Sequence, residues 1–208
     1  VTPEAIRARF RGRATVDRAV VRRGVEVRTR GDHDLNPDMP TADDLTAAAV
    51  LVPLVARRAG MTVLLTQRTE HLPDHPGQIS FPGGRIDPID ADSTAAALRE
   101  TEEEVGIAPG RVELVGRLDD YAVRTGYLVT PVVGIVRPPF DLRPEPTEVA
   151  EIFEVPLSFV LDRENHHRGS RQFNGVERRF FVLPFEERYI WGATAAMLVN
   201  LSEVLSGS

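Results

Sequence analysis

Between Asp92 and Gly106 the chain can hardly be anything but a helix, and that helix carries its charge at the wrong end. Asp92 or Ser93 can accept hydrogen bonds from the first free backbone amides, and Gly106 suits the left-handed residue that stops a helix. Within residues 93–105 the order Arg99-Glu100-Thr101-Glu102-Glu103-Glu104-Val105 places Glu100, Glu103 and Glu104 at i, i+3 and i+4. At 3.6 residues per turn those three share one face, and Glu102 points away to solvent. They repel one another, and they sit near a C-terminus, where the macrodipole disfavours negative charge by roughly 0.3–1 kcal/mol per exposed group. A helix built only for packing gains from arginine there. A hard divalent cation such as Mg²⁺ removes the conflict, because it takes a few carboxylates together with water and substrate phosphates. A solvated acidic face is the plain alternative for an isolated acidic run. Here Gly83-Gly84 before the helix, Arg99 before Glu100 and Gly106 after Glu104 extend the pattern.

The surrounding sequence predicts one α+β domain over residues 1–208, with a core at about 46–200 and a helix and loop at 1–45. Pro3 suits the first turn of a short helix over residues 3–10. Residues 31–44 are rich in Asp, Pro and Asn and read as irregular loop. The apolar runs at 47–56 and 61–67, separated by a turn at 57–60, predict a hairpin. Residues 69–84 form a long Pro- and Gly-bearing loop, of the sort that carries function. Strands are expected at 112–118, 128–136 and 180–184, a loop at 138–146, and a short helix or turn at 147–153. A closing helix over 190–205 would bury a stripe that includes Trp191, Thr194, Leu198 and Leu201. The adjacent His166 and His167 read as surface.

Composition narrows the function classes. A formal net charge of −6 argues against wrapping nucleic acid. With no cysteine, thiol nucleophiles and zinc–thiolate sites are excluded. No apolar run is long enough to span a bilayer, and the charged N-terminal stretch lacks the apolar segment of a secretory signal. The expectation is a cytoplasmic protein that binds neither membrane nor nucleic acid.

Residues 84–107 resemble the Nudix box, Gx5Ex7REUxEExGU, where U is aliphatic. Arg99 to Ile107 match its second half, with Thr101 at an aliphatic position. In the first half Asp90 replaces the glutamate, and one extra residue separates it from Arg99. The resemblance implies a mixed β-sheet sandwiched between α-helices (α/β/α), Mg²⁺ or Mn²⁺ as cofactor, and hydrolysis of a nucleoside diphosphate linked to another group. It implies Glu100, Glu103 and Glu104 as metal ligands, with Glu100, Glu103 and Arg99 in the catalytic set and Arg99 orienting a glutamate. The partner is a small nucleotide, and a homodimer is left open. The physics agrees, since divalent ions neutralise the charge that makes a diphosphate a poor electrophile.

The preceding loop resembles the coenzyme A diphosphatase branch of that family, LLTxR[SA]x3Rx3Gx3FPGG. Leu64, Leu65, Thr66, Arg68, Gly77, Phe81, Pro82, Gly83 and Gly84 match. Thr69 replaces the small residue, and Pro73 stands where the pattern has arginine. Residues 189–195 are similar to this branch too. The implied substrate is coenzyme A or its thioesters, with Arg68, His75, Phe81, Gly83 and Gly84 as substrate-binding candidates. For a general base, Glu148 is preferred over Glu151. Two rivals remain. One is a Nudix hydrolase of ADP-ribose, a dinucleotide or a nucleoside triphosphate, motivated by Pro73. The other is a ligand-sensing module with a retired site, motivated by Asp90 and the inserted residue.

Overall fold

The apolar run around Val52 is too continuous for a strand with one wet face, and both of its faces are covered. In a computed structural model of the chain, describing residues 1–11, 29–39, 44–72 and 75–207, β2 (Thr46–Arg57) lies inside a nine-stranded mixed sheet. Val52 and Leu54 point to one side, packing with Val63 and Leu65 of β3 (Gly60–Arg68) and with Leu198 and Leu201 of helix α4 (Gly192–Ser206). Ala49 and Leu51 point to the other, against Ala96 and Ala97 of helix α2 (Ser93–Val105). Val55 packs on that side with Val105 and Ile107. Double burial is what removes the polar alternation from the sequence. The layers are therefore helix, sheet, helix, as expected for an α+β chain of this type.

β2 and β3 form the predicted hairpin, closing at Arg57↔Gly60. β2 also runs parallel to β8 (Tyr127–Val136), from Thr46↔Tyr127 to Val55↔Val136. β6 (Val112–Arg117) and β7 (Asp120–Val123) pair with β8, and β1 (Thr29–Gly31) adds to β7 in parallel. The short strands β4 (Ile79–Ser80) and β5 (Gly83–Arg85) tie the long loop to β3 and β2. Helix α1 (Pro3–Phe10) starts as predicted, with the Thr2 hydroxyl accepting from the Ala5 amide.

Three expectations are corrected. Of residues 147–153, expected as a short helix or turn, only Thr147 and Glu148 lie in a turn; from Val149 the rest belong to β9 (Val149–Pro156), paired antiparallel with β3. Val149, Phe153 and Val155 alternate inward, but Glu151 falls in the same alternation and masks it; it is held there by Arg188 at 2.5 Å. The strand expected at 180–184 is longer, β11 (Val176–Phe185), and lies between β10 (His167–Phe173) and β12 (Arg188–Trp191) in a separate three-stranded sheet. Finally, Ile190 and Trp191 end β12 rather than beginning the last helix, so Trp191 is not part of its stripe. A short helix, α3 (Leu157–Leu161), packs against α4. Pro73 lies outside the described residues.

Candidate active site

Helix α2 delivers the acidic face as the sequence predicts. The Asp92 carboxylate accepts from the Ala95 amide at 2.8 Å, and Gly106 closes the helix with φ of 77°. Thr101, where the resembling pattern has an aliphatic residue, is fully buried and donates to the Ala97 carbonyl. A back-bonded hydroxyl needs no other partner, so threonine fits the apolar position. The three glutamates then diverge in environment. Glu104 is 5% exposed and accepts from the Gly83 amide at 3.2 Å. Glu100 is partly buried, whereas the Glu103 side chain is 60% exposed and meets Arg99 at 3.1 Å. Among the described residues, no three acidic or histidine side chains are gathered closely enough to hold a metal ion unaided.

Arg99 is the hub of this face. Its guanidinium donates to both oxygens of Asp90, at 3.0 and 2.9 Å, and to Glu100 at 2.9 Å. Asp90 replaces the glutamate of the family pattern, and its place is now visible. A two-pronged bond of this kind fixes both side chains in plane, so Asp90 orients Arg99, and Arg99 orients Glu100.

The long loop supplies the opposite wall. Gly83 has φ of 150°, and a Cβ there would collide with the Ala49 carbonyl and lie 2.6 Å from the Val50 Cα. A Cβ at Gly84 would stand 2.6–2.8 Å from the Glu100 carboxylate. One glycine lets the loop lie on β2, and the other leaves Glu100 its space. Arg68, His75, Phe81, Gly83, Gly84, Glu100, Glu104 and Glu148 all border a single cavity of about 780 Å³, and Glu103 does not. Phe81 is 2% exposed and belongs to the core, so it shapes the wall more than it presents a surface. His75 holds Gln78 at 3.1 Å. The Nε of Arg68 is buried without a hydrogen-bond partner among the described residues, a donor available to a ligand. Glu148 is half-buried in the turn before β9, not at a helix start. Glu151 is engaged by Arg188 instead.

The electrostatics of this end call for a cation. Burial pushes the Glu104 carboxyl up to about 8, against the Gly83 amide and Arg68, which favour its charge; Glu100 and Glu148 raise it further. Burial also raises Glu100, over the opposing bond from Arg99. Buried carboxylates that lack compensation are costly. Two such groups, with Glu148 beside them and oxygen donors only, fit a hard divalent ion whose remaining positions go to water and phosphate oxygens.

The sequence did not reveal the other end of the cavity. Arg124, Phe173, Arg178, Phe180 and Trp191 border it. Trp191 packs edge-on to Phe180, with centroids 5.1 Å apart, and so is a cavity wall rather than a helix core residue. Asn36 is 5% exposed and mimics a strand. Its amide donates to the Arg179 carbonyl at 3.0 Å and accepts from the Arg179 amide at 2.9 Å. One asparagine among many polar loop residues gives no sequence signal for such a pairing with a strand.

An acidic helix face on one wall and an arginine on the other have the chemistry to hold a divalent ion and an anionic ligand. The NUDIX domain model matches residues 45–174. NudL of Escherichia coli strain K12, described as an uncharacterized Nudix hydrolase, is 44% identical over 155 residues, covering 74% of this chain and 80% of that one. NudL of Shigella boydii serotype 18 matches to the same extent. Among solved structures, a Caenorhabditis elegans Ap4A hydrolase binary complex has a TM-score of 0.47 at 24% identity, over 53% of this chain and 80% of that one. The Nudix hydrolase RenU of Mycobacterium smegmatis has a TM-score of 0.47 at 22% identity, over 54% and 71%. The chain belongs to the Nudix hydrolase family. It is an enzyme acting on nucleoside diphosphate derivatives, small-molecule substrates, in a family that generally uses divalent ions such as Mg²⁺ or Mn²⁺. No helix among the described residues is long and apolar enough to cross a membrane.

Proposed function

We propose that the chain, acting as one domain over residues 1–208, hydrolyses the diphosphate of coenzyme A or its thioesters. The products are adenosine 3′,5′-bisphosphate and 4′-phosphopantetheine or its acyl form. The observation that carries this reading is that the loop resembling the coenzyme A branch shares one cavity with the buried carboxylates. Arg68, Gly83 and Gly84 come from that loop, while Glu100 and Glu104 face them from α2.

Glu100 and Glu104 would hold Mg²⁺ or Mn²⁺, with Glu103 joining by turning from Arg99. The ion, when bound, neutralises diphosphate charge and lowers the pKa of a coordinated water. The protein's own groups do the rest. Arg68 offers its buried Nε to a phosphate oxygen. Asp90 and Arg99 keep Glu100 in place. Glu148, beside Glu100 and Glu104, accepts the proton of the attacking water as its oxygen bonds to phosphorus and the bridging P–O bond breaks. His75 stands at the rim of the cavity as a further substrate contact.

The test is mass spectrometry of the products after incubation with coenzyme A and Mn²⁺ in ¹⁸O-water. The expected result is adenosine 3′,5′-bisphosphate and 4′-phosphopantetheine, with the label in one of them. Intact coenzyme A beside cleaved ADP-ribose, dinucleotide or nucleoside triphosphate overturns the substrate.

A further inference from the structure

The two ends of the cavity are built for opposite charges. The far end, 124 and 178–180 in the chain, has no part in the chemistry just described, and it is constructed with care. Arg178 and Phe180 alternate on β11, so they project from the same face of the three-stranded sheet. Their cross-strand partners on that face are Arg171 and Gly169. Arg171 opposite Arg178 sets like charges against each other, an arrangement that costs stability unless an anion answers it. Gly169 lets the Phe180 ring lie down, since a Cβ there would stand 2.8 Å from it. From the other side comes Arg124, in the turn between β7 and β8, with its guanidinium 4.7 Å from the Phe173 ring centroid. Among the described residues no carboxylate pairs with Arg124.

Two polar pins hold these pieces in register. The Asp32 carboxylate accepts from the Tyr121 hydroxyl and from the Arg124 amide, both at 2.8 Å, and so fixes the β7–β8 turn. Asn36, four residues on, fixes the same loop to β11 at Arg179. The result is that Arg124 and Arg178 border one cavity. Arg178 is only 18% exposed and meets Asp38 at 3.3 Å, but Asp38 itself is 73% exposed. An exposed carboxylate at that distance is an easily exchanged partner, worth little in water.

From this we infer that the β10–β12 sheet carries a recognition site for a second phosphate, a monoester remote from the diphosphate being cleaved, with Arg178 and Arg124 as its cationic ligands. Phe180 and Trp191 supply the apolar walls for the nucleoside that bears it. Guanidinium groups bind phosphate with charge-assisted, planar bonds, and aromatic faces take a base without demanding its edge pattern. The cavity is far larger than a diphosphate needs. The inference rests on the coenzyme A reading and deepens it. It orients that substrate, with the 3′-phosphorylated adenosine over the β10–β12 sheet and the diphosphate between Arg68 and α2.

Two measurements test it. The first is kcat/KM for coenzyme A and for dephospho-coenzyme A, in the wild type and in Arg178→Gln and Arg124→Gln. Wild type should prefer coenzyme A by about tenfold or more, the worth of a charge-assisted bond or two. Each variant should lose several-fold more on coenzyme A than on its dephospho form, chiefly in KM, so that the preference collapses. The second is calorimetric binding of adenosine 3′,5′-bisphosphate against AMP without turnover. Arg178→Gln should erase the difference between them. If wild type cleaves both coenzymes equally well and binds both nucleotides equally, the second-phosphate site is wrong and the substrate reading stands. If it cleaves neither coenzyme, the substrate reading fails, and the calorimetry alone decides the site. If either variant lowers both substrates in equal proportion, with a lowered melting midpoint, the arginines serve the fold and the inference is overturned.

Discussion

At one end of the cavity, two glutamates of a single helix, Glu100 and Glu104, meet a glycine pair and one arginine. At the other, arginines and aromatic rings from three hairpins meet across a separate sheet. The first end is overcharged with acid and buried enough to raise the carboxyls of Glu104 and Glu100. The second is cationic, with guanidiniums over or beside aromatic rings. The difference separates chemistry from choice. The acidic end has to act alike on every diphosphate, whereas the basic end has to tell one nucleotide from another. Substitutions at the acidic end should therefore lower turnover with all substrates, and those at the basic end should alter discrimination.

The largest effect belongs to Glu104→Gln, which removes a charge from the acidic end without changing its shape. Turnover should fall at least about a hundredfold with every substrate cleaved. Thermal unfolding at neutral pH without metal should not fall with it, because burial raises that carboxyl to about 8, so it is largely protonated there and a neutral amide replaces it in kind. Glu103→Gln should cost a similar factor, since the bond that holds that exposed side chain away from the site is one to Arg99 at the surface. Retained turnover in either variant would take that residue out of the mechanism.

The glycine pair should break the comparison in two. Gly83→Ala forces a side chain against the β2 backbone at a positive φ, and should cost about 2 kcal/mol or more of stability in a denaturant titration. Gly84→Ala presses on the movable end of Glu100, and should spare stability while lowering turnover by about tenfold, as displaced metal-site neighbours do. The reverse assignment would mean that Gly84, not Gly83, seats the loop.

The smallest effect lies away from both ends. Glu113 on β6 accepts from Arg7 of α1 at 2.5 and 2.9 Å and from Arg137 at 3.2 Å, and these guanidiniums draw its carboxyl down to about 2. The depressed folded pKa means that the stabilising contribution is complete above the ordinary carboxyl range, near 4.5, and fades as pH falls towards about 2. Glu113→Gln should lower the melting midpoint at neutral pH by less than about 4 °C, as one exposed network does. It should flatten the midpoint's acid dependence within that window and leave turnover with any substrate alone. Altered turnover would link α1 to the cavity.

The acidic end was legible because it is local. Helical spacing puts Glu100, Glu103 and Glu104 on one face in any fold that keeps the helix, and Asp92 and Gly106 mark its ends. The β2–β3 hairpin and α1 were legible for the same reason: each is a run of short-range preferences. What the tertiary structure decided is of longer range. It paired Asp90 with Arg99, turned Glu103 outward while burying Glu104, and made residues 149–156 a strand, where Arg188 neutralises the Glu151 that disguised the alternation. It also built the basic end from Asp32, Asn36, Arg124, Arg178 and Trp191, which share no sequence window and no period. Hydrogen bonds across sheets set those neighbours, and a partner on another strand leaves no trace in the spacing of a single one.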